Sequence, residues 1–318
     1  MNGSPNFSRG AMADPLAAFL DAMEAAGVVP RDRLALASKL AANPGLVRFR
    51  CDGERNTNGW ATLHLDAQPA GRFGNWRLGI VASWRADRAQ KLCAADRAEF
   101  ARVRRAWEAE TRRGHEATAA SCLALWQAAR PASAAHCYLA AKRMNPAGLR
   151  AHGAAVLIPM HDAAGRLWSL QSIFPDGSKR FARGGRCDGM IWQRGEPGET
   201  IAIGEGVATM AAVHAATGLS VAAAFTAGNL AAAARAVRKQ WPAARLILCA
   251  DDDAGRSPNV GMDAANAAAR TVGGLVARPP KPPGWPEGKG WDFADTWNAP
   301  HGAEAIRRAF ALDNGDAA

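Results

Sequence analysis

Residues 247–255 read ILCADDDAG, an apolar run that ends in Asp251, Asp252 and Asp253. Three adjacent carboxylates repel one another, and each ionises only with help from its surroundings. One or two Asp residues suit a turn or a helix start, because the short side chain accepts from nearby backbone N–H groups. A third asks for more. A hard divalent cation such as Mg²⁺, which takes carboxylate oxygens together with water and phosphate, meets that need. A second acid has the same setting: TIAIGEG closes an apolar run with Glu205 between Gly204 and Gly206. Alone, Glu205 reads as a helix-start acid answering a helix dipole. Beside the DDD run it reads as a wall of a shared cation site. If the chain stays extended, Asp251 and Asp253 share a face and Asp252 points away.

Both acids need strands that finish at one edge. From residue 200 the pattern is strand, helix, strand, helix: TIAI, GEGVATMAAVHAATG, SVAAAF, GNLAAAARAVRKQW, ARLILCA, VGMDAANAAARTVGG, LVARP. This alternation predicts a parallel sheet with crossover helices. Ligands of such sheets gather beyond the carboxyl ends of the strands, where Glu205 and the DDD run fall. A Pro-rich loop then leads to WDFADTW, which offers Asp292 and Asp295 as a further acid. Upstream, DPLAAFLDAMEAAGVV begins a helical stretch over 14–42, with Asp14 as cap and Pro15 in the first turn. Residues 46–84 alternate and turn, as a small antiparallel sheet does, and 85–143 are helical and rich in Arg. Over 152–193, apolar strands are separated by the turn signals DAAG and PDGS.

The chain has 318 residues and a net charge of +10. Its length suits about two domains, and the basic balance suits a polyanionic partner, nucleic acid before membrane. Six cysteines stand at 51, 93, 122, 137, 187 and 249 with no C-x-x-C pair, so neither a zinc site nor a disulfide framework is expected. Reduced thiols and the lack of an apolar span or signal core point to the cytoplasm and away from a membrane. Residues 1–13 are expected to be disordered.

Glu205 in IGEG, and Asp251 and Asp253 in ADDDAG, make residues 200–298 resemble a Toprim domain. That is the metal-binding fold shared by DnaG-type primases, topoisomerases and some nucleases. NGWATLHLDAQPAGRFGNWRLG, LWSLQSIFPDGSKRFARGG and AFTAGNLAAAARAVRKQWP extend the resemblance to the plasmid and satellite-phage primases, TraC-like and alpha-type. It implies an α/β protein: a C-terminal Toprim domain over 200–318, a Rossmann-like parallel sheet with flanking helices. Ahead of it stand an α+β region over 14–150 and a β-rich part of the primase core over 151–199. It implies primer synthesis on single-stranded DNA from NTPs with Mg²⁺ or Mn²⁺, and a replicative helicase in trans, since no G-x-x-x-x-G-K-[ST] loop is present.

On that resemblance Glu205 is the general base, and Asp251, Asp253 and Asp292 are metal ligands, with Asp295 the rival for the last place. Lys179 and Arg180 after PDGS, and Arg183 and Arg186 around RGGR, are candidates for phosphate, against a solvated turn. Asn229 is a helix cap that faces phosphate or only caps. Arg72, Arg77 and Trp76, with Trp60 and Phe73, suit single-strand stacking, against the aromatic core of a small sheet. Two rivals share these residues: a Toprim nuclease with water as nucleophile, and a non-catalytic DNA-binding or loading module.

Overall fold

The computed structural model describes residues 14–42, 45–65, 69–86, 94–254, 259–286 and 288–310. At 94–101, 103, 104, 106 and 107 it describes the backbone only. The expectation of disorder over 1–13 lies outside these residues. The chain forms two compact units, Met1–Ala98 and Glu99–Ala318. The divisions drawn from sequence at 150 and 199 fall inside the second.

In the first unit, α1 (Pro15–Ala25) starts as its sequence dictates: Asp14 accepts from Leu16 N–H, and Pro15 needs no partner in the first turn. After α2 (Arg33–Ala42) come β1 (Val47–Phe49), β2 (Gly59–His64), β3 (Ala70–Asn75) and β4 (Ile80–Arg85), an antiparallel meander in that order. Alternation sorts the faces. Phe49, Ala61, Leu63 and Phe73 join Phe19 and Met23 in one core. The other face carries Arg48 opposite Trp60, and Thr62 opposite Arg72.

The second unit begins with α3 (Ala94–Ala128), whose first turns belong to the first unit. It continues through β5 (Arg130–Pro131), α4 (Cys137–Ala141), β6 (Arg150–His152), β7 (Ala155–His161), β8 (Leu167–Ile173) and β9 (Lys179–Phe181). Strands β5 to β9 form an antiparallel meander. Next come β10 (Trp192–Arg194), β11 (Thr200–Gly204), α5 (Val207–Thr217), β12 (Ser220–Ala223), α6 (Ala227–Gln240), β13 (Arg245–Cys249), α7 (Val260–Val272), β14 (Leu275–Ala277), α8 (Phe293–Asn298) and α9 (Gly302–Ala309). The last sheet has the order β10-β12-β11-β13-β14, parallel except at β10.

Period-two alternation clothes this sheet on both sides. Ala202, Val221, Ile247 and Cys249 pack with α5, α8 and α9. Ile201, Ile203, Leu246 and Leu248 pack with α6 and α7, whose alanines Ala233, Ala234, Ala265 and Ala268 allow close approach. Phe293, fully buried against Phe310, anchors α8. Burying such a ring contributes about 1.5–3 kcal/mol. The acids at the ends of β11 and β13 thus rest on a sheet packed from both faces.

Candidate metal and phosphate site

Strands β11 and β13 are neighbours in register, Gly204 opposite Cys249, so Glu205 and the DDD run leave the sheet at the same edge. The turn after β11 is fixed by Phe225 N–H, which donates to the Glu205 carbonyl at 2.8 Å. Ala227 N–H, in the first turn of α6, reaches the Glu205 carboxylate. Burial raises the Glu205 pKa above the usual carboxylate range, and the charge of Asp253 adds to it; Ala227 N–H and Lys179 oppose the rise.

Asp251 is the most deeply placed acid. Burial, then Glu205, Asp292 and Asp253, hold its carboxyl well above the usual range, with Lys179 pulling it down. Its Oδ1 is buried and has no hydrogen-bond partner. Gly261 in α7 explains how the helix comes so near: a Cβ there would collide with the Asp251 carbonyl. Asp253 has two local bonds: its N–H donates to Asn259 Oδ1 at 3.1 Å, and its Oδ2 accepts from Gly261 N–H at 3.1 Å.

Asp252 faces elsewhere. Its Oδ2 lies 2.6 Å from Lys281 Nζ, and its Oδ1 accepts from Asn259 Nδ2 at 2.8 Å. The Lys281 bond, ahead of Asn259, holds the Asp252 pKa below the ordinary value. Its backbone exchanges two hydrogen bonds with Trp291, which brings the segment of Asp292 to the same edge.

Asp292 and Asp295 form a capping box at α8: Asp295 N–H donates to Asp292 Oδ1 at 2.8 Å, and Asp292 N–H to Asp295 Oδ2 at 3.2 Å. Burial and then the Asp295 charge raise the Asp292 pKa. The charge that acts on Asp251 is that of Asp292, not Asp295. Asp295 instead lies 4.0 Å from Lys142 Nζ.

The structure separates the basic candidates. On β9 successive side chains alternate, so Lys179 and Arg180 take opposite faces. Lys179 feels Glu205, Asp292 and Asp251, yet desolvation by surrounding protein and the Lys142 charge leave its pKa below the ordinary lysine value. Its Nζ stands 5.8 Å from the centre of the Tyr138 ring. Arg180 lies over Phe174 instead. Arg186 lies over Trp168, and Arg183 is exposed. Gly185 packs on Ser169 Oγ, so its missing side chain serves the fold.

Asn229 is a correction. The α6 cap is Thr226, which accepts from Asn229 N–H. The buried Asn229 amide accepts from Gly189 N–H and donates to the Met190 and Ala224 carbonyls, so it clamps backbone rather than facing phosphate. In the first unit Arg72 is exposed, and Trp76 stacks on Trp60 at 6.0 Å beneath Arg48. Phe73 is core, and Arg77 stands 3.4 Å from the buried Glu54 carboxylate.

Sequence reasoning missed Lys142, Tyr138 and Lys281. Lys142 stands in AAKRMNP, which has no motif, and Lys281 in a Pro-rich loop. Tyr138 is buried beside the site, and burial, then Asp292, push its pKa up to about 12.

Two strand-end acids stand on adjacent parallel strands, and a third caps α8. Residues 200–304 match the Toprim domain. That match takes in β11 to β14 of the C-terminal sheet. The resemblance read from IGEG and ADDDAG therefore holds, and the α/β architecture with it. Over 316 residues, 88% of this chain, the chain is 32% identical to a DNA primase TraC of Escherichia coli. A second Escherichia coli DNA primase TraC is 32% identical over 240 residues, 70% of this chain. The chain spans 29% and 16% of the lengths of these two relatives. Among solved structures it is similar to a DnaG primase catalytic domain bound to single-stranded DNA, at a TM-score of 0.44 and 15% identity. That likeness covers 64% of this chain and 80% of the other. It is also similar to the zinc-binding and RNA polymerase domains of the Aquifex aeolicus primase, at 0.41 and 12%, covering 94% and 85%. No helix among the described residues is long and apolar enough to cross a membrane.

Proposed function

We propose that the chain is the catalytic core of a DNA primase, which joins ribonucleotides into short primers on a single-stranded DNA template. The observation that carries this reading is the Asp251 carboxylate, with a buried, unpartnered oxygen among Glu205, Asp253 and Asp292 and with Lys179 as the opposing charge. A buried carboxylate oxygen without a donor suits a divalent cation, so the residues fit Mg²⁺ or Mn²⁺. Among the described residues no three Asp, Glu, His or Cys side chains enclose an ion by themselves.

Asp251, Asp253 and Asp292 are the acids that would bind the ion, each directly or through a bridging water. When bound, it lowers the pKa of the attacking 3′-hydroxyl and neutralises charge on the α-phosphate and departing pyrophosphate. Glu205, its pKa raised by burial, is placed to accept the hydroxyl proton. Lys179, on the strand facing the acids, binds the β- and γ-phosphates of the incoming NTP. Arg183 and Arg186 border the path of the nucleotide or template.

The template belongs to the first unit in this reading. Arg72, Arg48 and the Trp76–Trp60 stack give one exposed sheet face both cations and aromatic planes. A groove beside it is lined by Arg31, Lys39, Arg48 and Arg50. A cytoplasmic setting and a replicative helicase acting in trans belong to the same proposal.

The test is incubation of the chain with single-stranded DNA, labelled NTPs and Mg²⁺ or Mn²⁺. Short RNA products that require NTPs are the expected result. A shortened template without labelled product assigns the site to a nuclease; binding without either assigns it to a non-catalytic module.

A further inference from the structure

Strand β9 brings a second side chain towards the acids. Alternation puts Phe181 on the same face as Lys179, two residues and about 6.6 Å along the strand. That face is the one on which Lys179 feels Glu205, Asp292 and Asp251. Phe181 is 38% exposed. A sheet edge in water suits the Lys and Arg of β9, but a bare aromatic ring there asks for a reason. The ring meets Phe225, with centroids 6.2 Å apart and planes at 77°. Phe225 is buried, and its N–H donates to the Glu205 carbonyl at 2.8 Å, so Phe181 rests on the turn that carries Glu205. Phe225 also has φ of 69°, where a bulky side chain is strained and glycine would not be. Strain of this kind gathers at ligand sites. Core packing accounts for the buried ring of the pair and leaves the exposed one unexplained.

We propose that Phe181 stacks on the base of the incoming nucleotide while Lys179 holds its phosphates. This rests on the primase reading and adds to it the contact that holds the other end of the substrate. A nucleotide has a flat apolar end and a polyanionic end. One face of β9 offers a flat apolar ring and a cation, side by side in the same order. The occupant is the incoming nucleotide, not a template base, because Lys179 on that face is directed at the acids where the triphosphate must lie. Stacking reads no base edge, and every base has a π-face. A site of this kind accepts all four bases, as a template-directed enzyme requires: the template chooses the base, and the site must hold whichever one pairs.

The experiment compares ATP with inorganic tripolyphosphate, which has the phosphates and no base. Each is titrated calorimetrically into the full chain with Mg²⁺, a short oligothymidylate is titrated in parallel, and KM is measured for each NTP in primer synthesis. The wild type should bind ATP about five- to a hundredfold more tightly than tripolyphosphate. Phe181→Leu, which stays apolar but has no ring, should lose most of that preference, leave tripolyphosphate binding unchanged and raise KM for all four NTPs. Phe181→Tyr should keep the wild-type preference, and Lys179→Gln should weaken both ligands. The proposal is overturned if the wild type does not prefer ATP, if Phe181→Leu weakens tripolyphosphate as much as ATP, or if Phe181→Tyr behaves as Phe181→Leu does. A loss in Phe181→Leu confined to oligothymidylate gives the ring to the template and overturns it too. NTP-dependent primer from the wild type with an unaltered Phe181→Leu rejects the stacking alone. No primer and no binding of ATP or tripolyphosphate rejects the nucleotide site and the stacking with it.

Discussion

Lys281 Nζ lies 2.6 Å from Asp252 Oδ2, and this ion pair separates the middle carboxylate of the DDD run from its neighbours. Asp252 is matched with a cation of the protein. Asp251, one residue away, has a buried oxygen with no donor at all. Identical residues one place apart therefore stand in two different electrostatic settings.

For Asp251, burial and like charge raise the folded pKa above the unfolded value. Its favourable neutral form is fully present below the unfolded pKa of about 3.9, and that contribution is lost as pH rises through the folded pKa. Asp251→Asn removes the loss. The variant should melt above the wild type, by a margin that grows from pH 4 towards neutrality, at about 2–4 °C per kcal/mol of relieved repulsion. It should make no primer. Added Mg²⁺ should raise the melting temperature of the wild type only. A melting margin that does not change with pH contradicts the assignment.

Asp252→Asn should behave in the opposite sense. The pKa of Asp252 is lowered, so its contribution is present above the unfolded value and lost as pH falls through the folded one. Losing the charged bond to Lys281 should cost about 1.5–3 kcal/mol at neutral pH, and less in acid. Urea melts at two pH values measure this. Primer synthesis should persist, which distinguishes Asp252 from both of its neighbours.

Lys179 and Arg180 should separate in kinetics. Lys179→Gln removes the cation that faces the acids and should raise KM for NTP about ten- to a hundredfold. Arg180→Ala, on the opposite face of β9, should change it far less. Because the pKa of Lys179 is lowered, the wild-type KM should rise at an alkaline pH where an ordinary lysine is still charged. Equal effects of the two substitutions would place both side chains at the nucleotide.

Trp76→Ala should weaken binding of single-stranded DNA by about 1–3 kcal/mol, read by fluorescence anisotropy. Arg72→Ala should lower the slope of log affinity against log salt by about one. Phe73→Ala should instead unfold the first unit, because a buried aromatic lost to Ala costs about 3–5 kcal/mol. An unchanged affinity in both surface variants would remove the template from this sheet.

Asn229→Ala should destabilise the chain by about 1–3 kcal/mol through three orphaned backbone groups, with KM for NTP unchanged in the folded fraction.

The Toprim acids were legible in the sequence because each follows an apolar strand, and parallel strands of a wound sheet present their carboxyl ends at one edge. The rhythm of elements from 200 onward was legible for the same reason: it is local. What the sequence hid lies in contacts between distant segments. Lys142 reaches Asp295, and Lys281 reaches Asp252, across spans that carry no motif. Asn229 looked like a cap because Asn commonly is one. Only the fold shows that Thr226, three residues earlier, takes that place and frees the amide to bind three backbone groups. The Lys179–Arg180 pair looked like one cationic tip because adjacency in sequence conceals the alternation of a strand.

Gly261 has no charge and no side chain, and touches no substrate in any reading given above. It is nevertheless the place where a helix start leans on the backbone of Asp251, with no room for a single methyl group. In a mutational scan this position should therefore be as intolerant as the carboxylates, but for reasons of spacing. It would define a class of null allele in which every reactive group is intact and only the ruler between them has been lengthened.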